Sequence, residues 1–146
     1  MKAVVQRVKS ASVSINGKLF SSIGQGILVL LGIENSDTIS EAEYVCSKLL
    51  KLRIFEDENE KMNYSVTDIG GEILVVSQFT LAGSVKKGTR PSFDNAMKPD
   101  DAEVLYEKFV EMIKQSNLKI QTGKFGAMME VSLINDGPVT FIVEKS

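Results

Sequence analysis

Ser77-Gln78-Phe79-Thr80-Leu81 places two hydroxyls, a carboxamide and an aromatic ring directly after the apolar run Glu72-Ile73-Leu74-Val75-Val76. The run is short, rich in β-branched residues and preceded by Gly70-Gly71, which predicts a buried β-strand. Polar groups at the end of such a strand need partners, because each one left unsatisfied costs about 1–3 kcal/mol. Ser77 and Thr80 either bond the local backbone or serve a site. Residues 82–99 follow as a long loop carrying Lys86, Lys87, Arg90 and Lys98. A loop of that length without structure of its own is usually functional or disordered. Its charge cluster is either a solvated face or a local patch for a polyanion.

The absence of histidine limits what this chemistry can be. It excludes Ser-His-Asp and Cys-His catalysis, a histidine general base and histidine-ligated zinc. Any hydrolysis must run by another route. Cys46 is the single cysteine, so an internal disulfide framework is excluded. It falls on the apolar face of a predicted helix with no basic partner nearby, which makes it a core residue and not an activated thiolate. The net charge of −2 argues against indiscriminate polyanion binding but leaves room for a local basic patch.

The elements that must position the polar segment are readable along the chain. Its 146 residues fit one domain, 1–146, able to bury a core without a disulfide or metal staple. Residues 2–15 read as a long strand whose alternation is broken at Val4, Arg7, Ser10 and Ser12. Asn16-Gly17 predicts a type I′ hairpin returning through Lys18–Ile23. After Gly24-Gln25-Gly26, residues 27–33 read as a strand buried on both faces. Ser40-Glu41-Ala42-Glu43 reads as a capping box opening a helix with Ala42, Val45, Cys46, Leu49 and Leu52 on one face. Arg53-Ile54-Phe55 is short and extended. Asp57–Lys61 is a polar turn without the ligand pattern of a calcium loop.

A second helix starts at Pro99-Asp100-Asp101, with Leu105, Phe109, Met112 and Ile113 inward. Residues 118–125 and 130–134 read as strands. Asn135-Asp136-Gly137-Pro138 reads as a tight turn before a last strand, Val139–Val143. The sum is an α+β fold: a mixed, mostly antiparallel sheet with two main helices on one face. The N-terminal residues show no apolar core or cleavage site of a signal peptide, and no run reaches membrane-spanning length. The expectation is a cytoplasmic protein with no membrane association.

Ser77-Gln78-Phe79-Thr80-Leu81 and Asn135-Asp136-Gly137-Pro138-Val139-Thr140 together resemble the signature segments of the D-aminoacyl-tRNA deacylase family. Val5-Gln6-Arg7-Val8, Ala11-Ser12-Val13, Arg90-Pro91-Ser92-Phe93 and Gln121-Thr122-Gly123 match the same family, so the resemblance runs from the first strand to the last. It implies a cytoplasmic homodimer whose sheets are barrel-like across the dimer. It also implies hydrolysis of the ester that joins a D-amino acid, or wrongly attached glycine, to the 3′ end of tRNA.

The resemblance places the chemistry at Ser77, Gln78, Phe79 and Thr80. It makes Gly137-Pro138 a cis peptide, inserted from the partner subunit, whose carbonyls exclude an L side chain. Lys86, Lys87, Arg90 and Lys98 would then meet phosphates near the tRNA acceptor end. Phe125, Ala127, Met128 and Met129 wall the adenosine or amino-acid pocket, or else pack in the core. No cofactor and no metal is expected. The oxyanion donors would be the Gln78 amide and backbone N–H groups around Phe79 and Thr80. Thr80 ranks as a positioning group ahead of a covalent nucleophile, because no base adjoins it. Two other classes fit the same residues: a dimeric module that holds an aminoacyl end without cutting it, and a small-ester hydrolase indifferent to RNA.

Overall fold

The computed structural model describes residues 1–146. The elements run β1 (Lys2–Ile15), β2 (Lys18–Ile23), β3 (Gly26–Gly32), α1 (Ile39–Lys51), β4 (Phe55–Glu56), β5 (Met62–Tyr64), β6 (Glu72–Ser77), a 3-10 turn (Phe79–Ala82), α2 (Pro99–Lys114), β7 (Ile120–Thr122) and β8 (Glu130–Glu144). The main sheet has the order β2-β1-β3-β6-β7, with β8 on the other edge of β1. Pairings of β1 with β2, β3 and β8 are antiparallel, while β3–β6 and β6–β7 are parallel. The chain therefore forms the mixed α+β domain expected. Its parallel centre requires crossovers, and the segments carrying α1 and α2 supply them.

Asn16 and Gly17 both take positive φ, 51° and 76°, as the hairpin signal requires. The sheet curls until Ser21 Oγ, on β2, donates to the Thr122 carbonyl of β7 at 2.8 Å. Ile73 and Val75 of β6 face the larger core, with Ala3, Val5, Val45, Leu49, Leu105 and Phe109. Leu74 and Val76 face a smaller cluster with Val8, Ala11, Val13 and Leu28. The alternation of a strand puts Ser77 on the helix-covered face with Ile73 and Val75. Tyr106 Oη of α2 donates to the Val75 carbonyl at 2.9 Å and fixes that helix over β6. No helix is long and apolar enough to cross a membrane.

Several expectations are corrected. The capping box is Thr38 with Glu41, not Ser40 with Glu43. Thr38 has the extended backbone of an N-cap and accepts the Ser40 N–H, so the helix begins at Ile39, one residue before Ser40. Leu52 is the half-buried C-cap, not part of the apolar stripe. The strand expected over 118–125 shrinks to Ile120–Thr122, where it can still pair with β6.

The largest difference lies in the last third. Residues 135–138 do not reverse the chain. β8 continues from Glu130 to Glu144 along β1 in one direction. Between the pairs Gln6↔Thr140 and Val8↔Asn135, the residues Asp136, Gly137, Pro138 and Val139 lie opposite Arg7 alone. The extra residues leave the ladder as a protruding bulge. Ala3 and Val5 face the larger core and Val8 the smaller one, and a second register shift between Val8 and Ser10 changes the parity of β1 so that Ala11 and Val13 stay on the face of Val8. That shift is the physical reason for the broken alternation.

Candidate active site

The polar segment sits where β6 ends. Gln78 N–H donates to the Leu31 carbonyl at 2.8 Å, the last bond of the β3–β6 ladder. The chain then turns through Leu81 N–H to Gln78 O at 3.2 Å and Gly83 N–H to Thr80 O at 3.0 Å. The first N–H groups of such a turn have no acceptor inside it, which leaves those of Phe79 and Thr80 available. The turn lies tightly over Gly32: a Cβ there would meet Leu81 Cβ at 2.7 Å and Gln78 O at 3.2 Å.

Ser77 and Gln78 are half-buried, and Phe79 and Thr80 exposed. Gln78 Nε2 donates to Thr80 Oγ1. The neighbour of the Thr80 oxygen is thus an amide donor, which cannot take a proton from it. No titratable side chain lies between Ser77 and Ala82. A threonine hydroxyl without a base is a weak nucleophile, so this arrangement suits holding and polarising a bound group. Thr80→Ala is therefore expected to slow hydrolysis by about tenfold, the scale of a lost positioning contact, with no acyl-enzyme at any stage. Intact-protein mass spectrometry of a quenched reaction checks this, and a covalent ester on Thr80 would overturn it.

The segment over 82–99 is not structureless. Ser84 and Ser92 exchange backbone bonds of 2.7 and 2.9 Å. These close a lobe with Lys86, Lys87 and Arg90 between them, all exposed. Lys98 stands apart as the residue before α2. None of the four cations forms an ion pair within the chain. Ser84, Lys86, Lys87, Ser92, Asp94 and Asn95 line a cleft of about 310 Å³.

Phe125 is half-buried and meets Tyr106 edge-on, with ring centroids 5.6 Å apart. Met129 packs over Gly123 beside Val76, and Ala127 is half-buried between them in sequence. Met128 is 90% exposed. Burial pushes the Cys46 thiol up to about 11, so it stays protonated and inert at neutral pH.

The Gly137-Pro138 peptide is cis, and both residues are exposed on the bulge. Asn135 closes its base: Oδ1 accepts the Val139 N–H at 2.7 Å, and Nδ2 donates to Thr140 Oγ1 at 3.0 Å. Arg7, only 6% exposed, supports it from beneath. Its Nε donates to the Asp136 carbonyl at 2.9 Å and its Nη1 to the Ile54 carbonyl at 2.8 Å. The sequence marked Arg7 only as a charge interrupting an apolar strand. Within one chain the bulge and the turn after β6 do not meet. They belong to β8 and β6, separated by β1 and β3, and three strand spacings amount to about 14 Å.

Residues 4–144 match the family model described as D-Tyr-tRNA(Tyr) deacylase. A D-aminoacyl-tRNA deacylase of Desulfatibacillum aliphaticivorans is 59% identical over 145 residues, covering 99% of both chains. The chain belongs to the D-aminoacyl-tRNA deacylase family. It is accordingly a hydrolase. Another family member, from Geobacillus sp. (strain WCH70), is 56% identical over 99% of this chain and 95% of its own. A solved protein described as c-Myc DNA Unwinding Element Binding Protein superposes with a TM-score of 0.95 at 50% identity, covering 100% of this chain and 99% of its own. A structure described as a probable eukaryotic D-amino acid tRNA deacylase shares the fold, with a TM-score of 0.84 at 18% identity over 97% of each chain.

Proposed function

We propose that this deacylase hydrolyses the ester of D-aminoacyl-tRNA and of mischarged glycyl-tRNA as a cytoplasmic homodimer. In this reading the Gly137-Pro138 bulge of one subunit enters the site at Ser77–Thr80 of the other. The observation that carries it is the bulge itself: an exposed backbone loop, held at its base by Asn135 and Arg7, far from the catalytic turn of its own chain. β8 also supports an assembly. It is an edge strand whose free side has no partner in the chain, and Ile134, Phe141 and Ile142 are 57%, 40% and 66% exposed on it. Long apolar edges are normally covered.

The chemistry follows from what the turn offers. The scissile ester places its carbonyl oxygen toward the free N–H groups of Phe79 and Thr80 and the Gln78 amide. Donors preorganised on a developing oxyanion are worth about 2.7–4 kcal/mol each in comparable sites. The protein supplies no acid or base in the segment, and the vicinal 2′-hydroxyl of the terminal ribose orients or activates the attacking water. The bulge carbonyls occupy the space of an L side chain. An L residue meets a steric clash and acceptors left without donors, at about 1–3 kcal/mol per group, whereas glycine presents only hydrogen. Lys86, Lys87, Arg90 and Lys98 hold the acceptor-end phosphates, and Phe125, Ala127, Met128 and Met129 border the aminoacyl-adenosine.

The test is hydrolysis of matched D-aminoacyl-, L-aminoacyl- and glycyl-tRNA, with assembly state measured by sedimentation. D and glycyl substrates are expected to turn over and L substrates to resist, whatever the side-chain size. A substrate ending in 2′-deoxyadenosine is expected to bind comparably and react at least about tenfold more slowly, a modest share of what general-base assistance contributes. Equal rates on D and L substrates would remove the chiral filter. Equal rates on ribose and deoxyribose would return the proton transfer to the protein.

A further inference from the structure

The lobe beyond the catalytic turn is fastened at one place, and that place reaches back to the turn. Directly after β3, Glu34 makes an isolated bridge with Ala96. Asn35 N–H donates to the Asn95 carbonyl at 2.9 Å, and Asn35 Nδ2 to the Asp94 carbonyl at 2.7 Å. Met97 N–H donates to the Ile33 carbonyl at 3.2 Å. One side-chain pair crosses the same junction, Asn95 Nδ2 to Glu34 Oε2. Asp37 keeps the Glu34 backbone in place, its Oδ2 accepting the Glu34 N–H at 2.7 Å.

Two residues before Asn95, the Phe93 ring lies against Phe79 with centroids 5.1 Å apart and planes tilted by 54°. A tilted pair at that distance is attractive beyond its buried area, by about 0.5–1.5 kcal/mol. The same ring covers Gly83, where an added Cβ would meet Phe93 Cε1 at 2.9 Å. Phe93 thus touches the first residue of the turn, Phe79, and the glycine that caps it, Gly83. Phe79 is 58% exposed and has no comparable aromatic packing elsewhere.

We infer that Glu34 and Asn95 are positioning residues for hydrolysis: their side-chain bond seats Phe93 on Phe79 and thereby holds the Phe79 and Thr80 N–H groups in place. Neither residue touches the reacting atoms. The inference rests on the assignment of Ser77–Thr80 as the catalytic segment, and it gives the lobe a role separate from its cations. If the lobe only binds RNA, loosening it raises KM. If it sets the turn, loosening it lowers kcat.

The experiment measures kcat and KM on D-aminoacyl-tRNA for Glu34→Ala, Asn95→Ala, the double variant, Glu34→Gln and Phe93→Leu, with Gln78→Ala as reference. Each alanine variant is expected to lower kcat about tenfold, the scale of a small misplacement of reacting groups, with KM within about twofold of the parent. The double variant is expected to be no slower than Glu34→Ala, because both changes remove the Glu34–Asn95 bond and Glu34→Ala alone also removes the contact of Glu34 Oε1 with the Met1 ammonium at 3.4 Å. Glu34→Gln keeps an oxygen facing Asn95 and is expected to retain parental kcat, while Phe93→Leu behaves as the alanine variants do. Asn95 is exposed, so Asn95→Ala keeps the test readable if a change at Glu34 unfolds the chain. Unchanged kcat in the alanine variants, an effect on KM alone, additive losses, or failure of Glu34→Gln would overturn the clamp. If Gln78→Ala also leaves kcat unchanged, the catalytic assignment of Ser77–Thr80 fails and the clamp with it. If Gln78→Ala alone lowers kcat, only the clamp fails.

Discussion

Gly137→Ala is expected to abolish at least about 99% of D-aminoacyl-tRNA hydrolysis while leaving a folded protein; misplacing groups by an ångström is enough for a hundredfold loss. Gly137 has φ of +153°, a conformation that L side chains rarely adopt. A Cβ there would also meet the Val139 nitrogen at 2.7 Å and Val139 Cγ2 at 2.6 Å. The nitrogen cannot retreat freely, because its N–H is bonded to Asn135 Oδ1. The bulge must therefore change shape, and its tip is the part proposed to enter the partner site. Neither residue 137 nor 138 contributes to either core cluster. The stability loss should stay near the scale of one strained residue, about 1–3 kcal/mol.

Mixing subunits separates a cross-subunit role from a local one. Gly137→Ala and Gln78→Ala homodimers are each expected to be inactive. A heterodimer of the two has one site with both changes and one with neither. Co-expression with two purification tags should recover that heterodimer with activity approaching half that of the parent. If the bulge served its own chain's turn, every site would carry one lesion and no activity would return. Absence of recovery in a verified heterodimer would sink the cross-subunit arrangement and leave the hydrolase assignment standing.

Much of this architecture was legible because it rests on local rules. Asn16-Gly17 forms the hairpin its φ preferences demand, and the apolar runs at 27–33 and 72–76 are the buried, parallel-paired centre. The polar segment lies at the strand end where its sequence placed it. Other features depended on partners distant in sequence. A turn composition at 135–138 cannot be distinguished locally from a bulge, since the deciding fact is that β1 continues alongside on both sides of it. The 82–99 segment reads as featureless because, apart from the Ser84–Ser92 pair and short local turns, the bonds that fasten it go to residues 33–35, some sixty positions earlier. Arg7 carried a usable signal, a charge within a strand otherwise headed for the core. A buried guanidinium must find fixed acceptors, but nothing local says that they are the carbonyls of Ile54 and Asp136.

Those two carbonyls make Arg7 the other position where a single change should act strongly. Its Nε and Nη1 donate in different directions, one to the bulge and one to the segment before β4. Its charge is met at longer range by Asp136 Oδ2 at 3.6 Å and Glu56 Oε1 at 3.8 Å. Glu56 is half exposed and Asp136 about one-third exposed, so water can hydrate both once the guanidinium is gone. The carbonyls are the less forgiving partners, at about 1–3 kcal/mol for each acceptor left unsatisfied. Arg7→Ala is therefore expected to lower Tm by about 5–15 °C, given roughly 2–4 °C per kcal/mol at this chain length. Hydrolysis should fall with it, because the bulge loses its support. Arg7→Lys separates the two effects: an ammonium keeps the charge but lacks the planar fork, so it can hold one carbonyl and not both. The expected result is a folded dimer with most of its thermal stability, at least tenfold slower on D-aminoacyl-tRNA and less discriminating between D and L substrates, the scale again being that of misplaced groups. Thermal melts and matched D/L assays on both variants decide it. An Arg7→Lys protein with parental rate and parental D/L preference would show that the bulge keeps its shape without the fork, leaving Asn135 as its only internal support.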